Sequence, residues 1–162
     1  AKRRGFTYLT VLVLMTLLSL GATAVVQVSS LAQRRVAEEE LLNIGHEFRN
    51  ALISFANATP VGHARAPKTL EDLLKDPRYP NPLRHLRKLY TDPITGKAEW
   101  GVVMFPDGSG IAAVHSLSEA TPIKVGNFEM AFKGFEGKTS YRNWLFGTNP
   151  ALLPVSPRPS GS

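Results

Sequence analysis

Four histidines, His46, His63, His85 and His115, carry the side chains best suited to acid–base or metal chemistry near neutral pH, yet their spacing does not combine them. None stands at the close spacing that puts two ligands on one helix face, as in metalloproteases. His115 closes an expected strand and reads as a satisfied surface residue. Ser116 and Ser118 lack the glycines of a nucleophile elbow. Asp107-Gly108-Ser109-Gly110 lacks the helix and spacing of a phosphate-binding loop, and a hairpin turn accounts for it. On a helix, Glu38-Glu39-Glu40 sends its carboxylates in different directions, so it reads as a solvated face rather than a metal site. The absence of cysteine excludes disulfides, thiolate catalysis and cysteine-ligated zinc. One cluster remains. Arg84, His85, Arg87 and Lys88 suit an anionic contact, to a phosphate or an acidic patch on a neighbour, with a solvated turn as the alternative. No catalytic residue, metal or cofactor is expected.

Charge points toward a membrane rather than nucleic acid. The 162-residue chain carries 19 Lys and Arg against 13 Asp and Glu, a net charge of +6. Lys2, Arg3 and Arg4 supply half of that excess. They precede residues 6–28, which hold no charged side chain. As a helix these would span roughly 35 Å, enough for a hydrocarbon core of about 30 Å. Leu, Val and Phe occur on all faces, as suits lipid or a bundle of similar helices. Thr7, Thr10, Thr16, Ser19, Gly21 and Thr23 are tolerable there, because hydroxyls bond back to the helix and small residues allow close contact. The flanking cations put the N-terminus in the cytoplasm and everything past Val28 outside. A cleaved secretory signal, with Gly21-Ala22-Thr23-Ala24 as its site, is the alternative to an uncleaved anchor.

Lys2-Arg3-Arg4-Gly5-Phe6-Thr7-Tyr8-Leu9 resembles the leader junction of type IV pilins and type II secretion pseudopilins. The resemblance implies cleavage between Gly5 and Phe6 by a prepilin peptidase, methylation of the new amino group, and retention of the helix as anchor and filament core. One position departs from the pattern. The family's fifth mature residue is usually glutamate, thought to pair with a neighbouring subunit's terminal amine; here it is Thr10, which cannot neutralise that amine. A non-standard or minor pseudopilin, placed at a filament tip, would fit. Tyr79-Pro80, Arg84 to Tyr90, Asp92-Pro93, Thr95-Gly96, Glu99-Trp100-Gly101, Pro122-Ile123-Lys124 and Tyr141 to Trp144 look like blocks of proteins related to the major pseudopilin. Major pseudopilins usually bind calcium in a C-terminal loop. Between Gly126 and Asn149 this chain has only Glu129 and Glu136 as acids, so no structural calcium is expected.

The elements that must carry these residues follow from periodicity. Leu41, Ile44, Phe48, Leu52 and Phe55 make one apolar helical stripe, so a continuous helix is expected over 6–55, packed on the chain's own sheet. Gly45 interrupts it at a cost of about 1 kcal/mol. Thr69 and Asp72 form a loose capping box before a short helix over 70–75. Trp100 to Phe105 and Ile111 to His115 flank a Pro-Asp-Gly turn and read as a hairpin. Weaker strands are expected at 123–125 and 143–146. The expected organisation is a leader at 1–5, a transmembrane or filament-core helix at 6–28 and its amphipathic continuation at 29–57. A loop region with a short helix (58–98), an antiparallel sheet (99–147) and an irregular tail (148–162) follow.

The expected class is therefore α+β and pilin-like, with a long N-terminal helix, membrane-spanning in its first half, packed on a small antiparallel sheet. The resemblance implies a pseudopilin of a periplasmic filament supporting protein export, set in a bacterial inner membrane with its C-terminal domain in the periplasm. Its implied partners are the membrane, other pseudopilin subunits, the prepilin peptidase and an inner-membrane assembly platform. The alternatives are a minor type IV pilin for adhesion, motility or DNA uptake, an anchored periplasmic binding or sensor domain, and an anchored enzyme. No aromatic-plus-basic platform for single-stranded nucleic acid is evident.

Overall fold

The computed structural model describes residues 4–148, with side chains described for 8–16 and 30–148. The tail expected over 148–162 lies, beyond Thr148, outside the described residues, as do residues 1–3 of the leader. The chain divides into two units, Ala1–Val36 and Ala37–Ser162.

Helix α1 runs Arg4–Asn57, two residues longer at each end than the spacing suggests. In the first unit, every side chain from Tyr8 to Thr16 is exposed, the large apolar ones included. Thr16 Oγ1 bonds back to the Val13 carbonyl at 2.8 Å, so its hydroxyl is satisfied within the helix. Among the described residues, no helix is long and apolar enough to cross a membrane. Most of the expected 6–28 span has its side chains outside the described set.

The second unit is α+β. Its part of α1 buries Leu41, Ile44, Phe48, Leu52 and Phe55, the whole expected stripe. Each contributes roughly 2 kcal/mol by leaving water. Two clusters share this face. Ile44, Phe48, Leu52 and Phe55 pack with Leu73, Leu86, Ile111 and Val114. Leu41 sits instead among Phe128, Phe132, Phe135, Tyr141, Trp144 and Phe146. There Phe135 stacks on Trp144 with ring centres 5.3 Å apart, and Phe128 meets Trp144 edge-on at the same distance.

The short helix α2 spans Glu71–Leu74, within the expected limits. Only half of the capping box forms: Asp72 Oδ2 accepts the Lys68 and Thr69 N–H groups, with no side-chain cap at the helix start. Strands β1 (Gly101–Met104) and β2 (Ile111–His115) pair antiparallel, with a bulge between Val103 and Met104. The turn between them uses Gly108 at φ +69°, and Ser109 N–H donates to Asp107 Oδ1 at 2.9 Å. That bond holds the Asp107 carboxyl below its usual range.

The last two expected strands change. Residues 123–125 form none, because the Ile123 and Lys124 N–H groups go to a side-chain carboxylate instead of a ladder. The 143–146 stretch becomes a 3-10 turn over Tyr141–Asn143 and a two-residue strand, β3 (Phe146–Gly147), paired antiparallel with β2. A second 3-10 segment, Met130–Phe135, supplies aromatic rings to the cluster around Leu41. Gly45 now has a reason. A Cβ there would lie 2.1 Å from the Phe146 ring, so only glycine lets β3 lie this close to α1.

Candidate functional site

With strands of only four, five and two residues, the second unit relies on side chains to tie its long loops. Three carboxylates, all buried, do this work: Glu38, Asp76 and Asp92. A buried carboxylate is tolerated only when donors surround it.

Asp76 organises the loop that carries the basic cluster. Both of its oxygens bind the Arg78 guanidinium, Oδ1 to Nε at 2.8 Å and Oδ2 to Nη2 at 2.6 Å. Arg78 also reaches Thr59 Oγ1 and the Phe55 and Ala64 carbonyls, and its guanidinium carbon lies 3.5 Å from the Phe55 ring centre. His85 completes the network, with Nε2 3.1 Å from Asp76 Oδ2 and Nδ1 2.8 Å from Ser54 Oγ. The Arg78 side-chain bonds, opposed by burial and helped by the Arg78 N–H and His85, hold the Asp76 carboxyl far below the usual range.

This takes His85 out of the expected anionic contact and leaves its three basic neighbours at the surface. Arg84, Arg87 and Lys88 are exposed, and Lys88 Nζ stands 5.2 Å from the Tyr90 ring centre. His85 turns the other way: its side chain is 1% exposed and bound to a carboxylate, so it does not face an outside anion. The reason is local. His85 and Leu86 N–H both donate to the Leu73 carbonyl, which pins this pair against the core while their neighbours stay in water.

Ser54, His85 and Asp76 follow one another in the order of a charge relay, but the arrangement is built to fasten. Arg78 binds both Asp76 oxygens, and Ser54 lies within α1, whose N–H groups are spent on the helix ladder. What the network can do is hold residues 59–85 to the end of α1.

Glu38 is the second correction. Rather than belonging to a solvated face with Glu39 and Glu40, it is 4% exposed and accepts three bonds. Ile123 N–H and Lys124 N–H donate to Oε2 and Oε1 at 2.7 and 2.8 Å, and Tyr141 OH donates to Oε2 at 2.7 Å. Asp92 closes the third loop: Oδ1 accepts Ile94 N–H at 2.8 Å and Oδ2 accepts Ser116 Oγ–H at 2.6 Å. His115 is buried, not a surface residue, with Nδ1 2.8 Å from the Ser116 carbonyl; a Cβ on Gly101 would run into its ring.

Gly5 and Phe6 lie in the first turns of α1, with side chains outside the described residues, and Thr10 is exposed in the same helix. Sequence spacing missed the carboxylate network because its partners are far apart in the chain, Glu38 and Tyr141 by 103 residues. Asp76-Pro77-Arg78 was the one local hint, an ion pair two residues apart in a proline-bent loop. Among the described residues, no group of three or more carboxylates or imidazoles is placed to hold a metal ion. Glu129 meets His46 at 3.1 Å and Glu136 meets Lys133 at 3.1 Å. No protein-family model matches the chain, and neither a curated protein nor a solved structure does.

Proposed function

We propose that the chain is a pilin-like assembly subunit, a pseudopilin of a type II secretion-type filament, and not an enzyme. One observation carries this reading: the basic-Gly-Phe-Thr junction of residues 2–7 opens a 23-residue stretch, Phe6 to Val28, free of charged side chains. A removable signal needs only a short apolar core, whereas this stretch is long enough to remain as an anchor. An apolar helix can leave lipid at little cost by entering a bundle of equally apolar helices, so small contacts and an assembly motor suffice to drive the exchange. The exposed apolar side chains of Tyr8 to Met15 support the same reading, since water is a poor medium for them.

In this account a prepilin peptidase on the cytoplasmic face cuts after Gly5 and Phe6 receives a methyl group. The helix stays in the bacterial inner membrane until assembly, with the α+β unit in the periplasm. Thr10 in place of glutamate suits a minor or tip position, where no further subunit needs its terminal amine neutralised. Replacing Gly5 by Leu tests the reading directly. The variant should accumulate as unprocessed precursor in the inner membrane and stay out of filaments; normal processing or incorporation would overturn it.

A further inference from the structure

The second unit carries two exposed faces of opposite charge. Between Lys75 and Thr91 the exposed charged side chains, Lys75, Arg84, Arg87 and Lys88, are all positive. The one carboxylate of that stretch, Asp76, is buried and spent on Arg78 and His85. On α1, Glu39, Glu40, Asn43, Glu47 and Asn50 form one exposed stripe that holds acids and no lysine or arginine. Among the described residues, neither these four cations nor these three glutamates form an ion pair. We propose that the basic loop of one chain docks on the acidic stripe of α1 in a second copy.

Three features favour a second copy over another partner. The faces cannot serve each other within one chain. His85 ties the loop to Ser54 in the last turn of α1, and fourteen helical residues separate Ser54 from Glu40, about 21 Å along the axis. That is beyond the screening length of about 8 Å at physiological salt. The loop is also fixed before it docks, because Asp76 N–H donates to the Leu83 carbonyl at 2.9 Å and His85 and Leu86 N–H donate to the Leu73 carbonyl. Little chain has to be ordered on binding. Lastly, a nucleic acid would use the cations and leave the glutamates idle, whereas a second copy uses both faces. The contact deepens the assembly reading and rests on it, yet it lies wholly in the second unit, so leader processing and this docking fail separately.

The natural chain has no cysteine, so an engineered disulfide reports the contact cleanly. Full chains carrying Glu40→Cys and full chains carrying Arg87→Cys, each with its own tag, are mixed in mild detergent and oxidised. The mixed disulfide should form about tenfold faster or more than either like pair. The advantage should vanish near 1 M salt, where charges are screened within about 3 Å. Adding Glu47→Lys to the first chain should slow the mixed pair several-fold, and Arg84→Glu in the second chain should restore it. Glu39→Lys replaces Glu47→Lys if that chain fails to fold. Equal rates for mixed and like pairs would overturn the proposal and leave the loop to a different anionic partner. So would a mixed rate that ignores both salt and the charge exchange.

Discussion

Residues 8–16 and residues 37–148 put similar side chains to opposite uses. In the first stretch Leu12, Val13 and Leu14 stand exposed on a helix with no cover from their own unit. In the second, Leu41, Phe48 and Trp144 are wholly enclosed. Each large apolar side chain left in water forgoes about 2 kcal/mol. A helix that carries many of them therefore needs a medium supplied from outside, which the proposed membrane and filament would provide. The second unit encloses two apolar clusters around α1 and ties its loops with buried carboxylates.

Both tryptophans, Trp100 and Trp144, lie in the second unit, so their fluorescence during urea unfolding reads its stability in the full chain. The sharpest break is expected at Asp76. Asp76→Ala leaves the Arg78 guanidinium buried without its counter-charge and should cost about 3–5 kcal/mol. Leu12→Ala should leave the same transition within about 0.5 kcal/mol of the parent. Equal effects would erase the distinction between the two regions. The Asp76 contribution should also depend on pH. Its folded pKa lies below the unfolded value of about 3.9, so the stabilisation is complete above that value and is lost as the pH falls below it. Between about pH 5 and about pH 2, Asp76→Asn should therefore lose stability less steeply than the parent.

Next in size, Glu38→Ala strands two N–H groups and a phenol, at a cost of about 3 kcal/mol, while Glu39→Ala and Glu40→Ala should each stay under about 0.5 kcal/mol. Gly45→Ala follows. It gains about 1 kcal/mol in helix propensity but drives a methyl into Phe146, for a net loss of about 1–2 kcal/mol. Smallest is the surface cluster. Arg84→Ala with Arg87→Ala should change stability by less than about 0.5 kcal/mol, and any larger effect would place these exposed side chains in the fastening.

What the sequence made legible was local and periodic. The stripe from Leu41 to Phe55 and the hairpin around Asp107-Gly108 were readable because neighbours in space are neighbours in sequence. Glu38 was unreadable for the opposite reason. Helical spacing placed it with two solvated glutamates, and only the return of residues 123–141 to α1 turns it into an acceptor. His85 fell the same way: its basic neighbours suggested a surface, while Ser54, 31 residues earlier, and Asp76 draw it inward. Residues 123–125 had strand-like composition, yet their N–H groups found a carboxylate before a strand. In a unit with so small a sheet, long-range side-chain bonds decide the loop paths, and no spacing rule reports them.

The central claim is that a peptidase removes the basic residues before Phe6 and leaves the apolar helix on the working protein. Mass spectrometry of the N-terminal peptide from protein isolated from its native cells measures this directly. The account predicts a chain that starts at Phe6 with a methylated amino group. A chain that still carries Lys2-Arg3-Arg4-Gly5, or one that begins beyond Ala24, would contradict it.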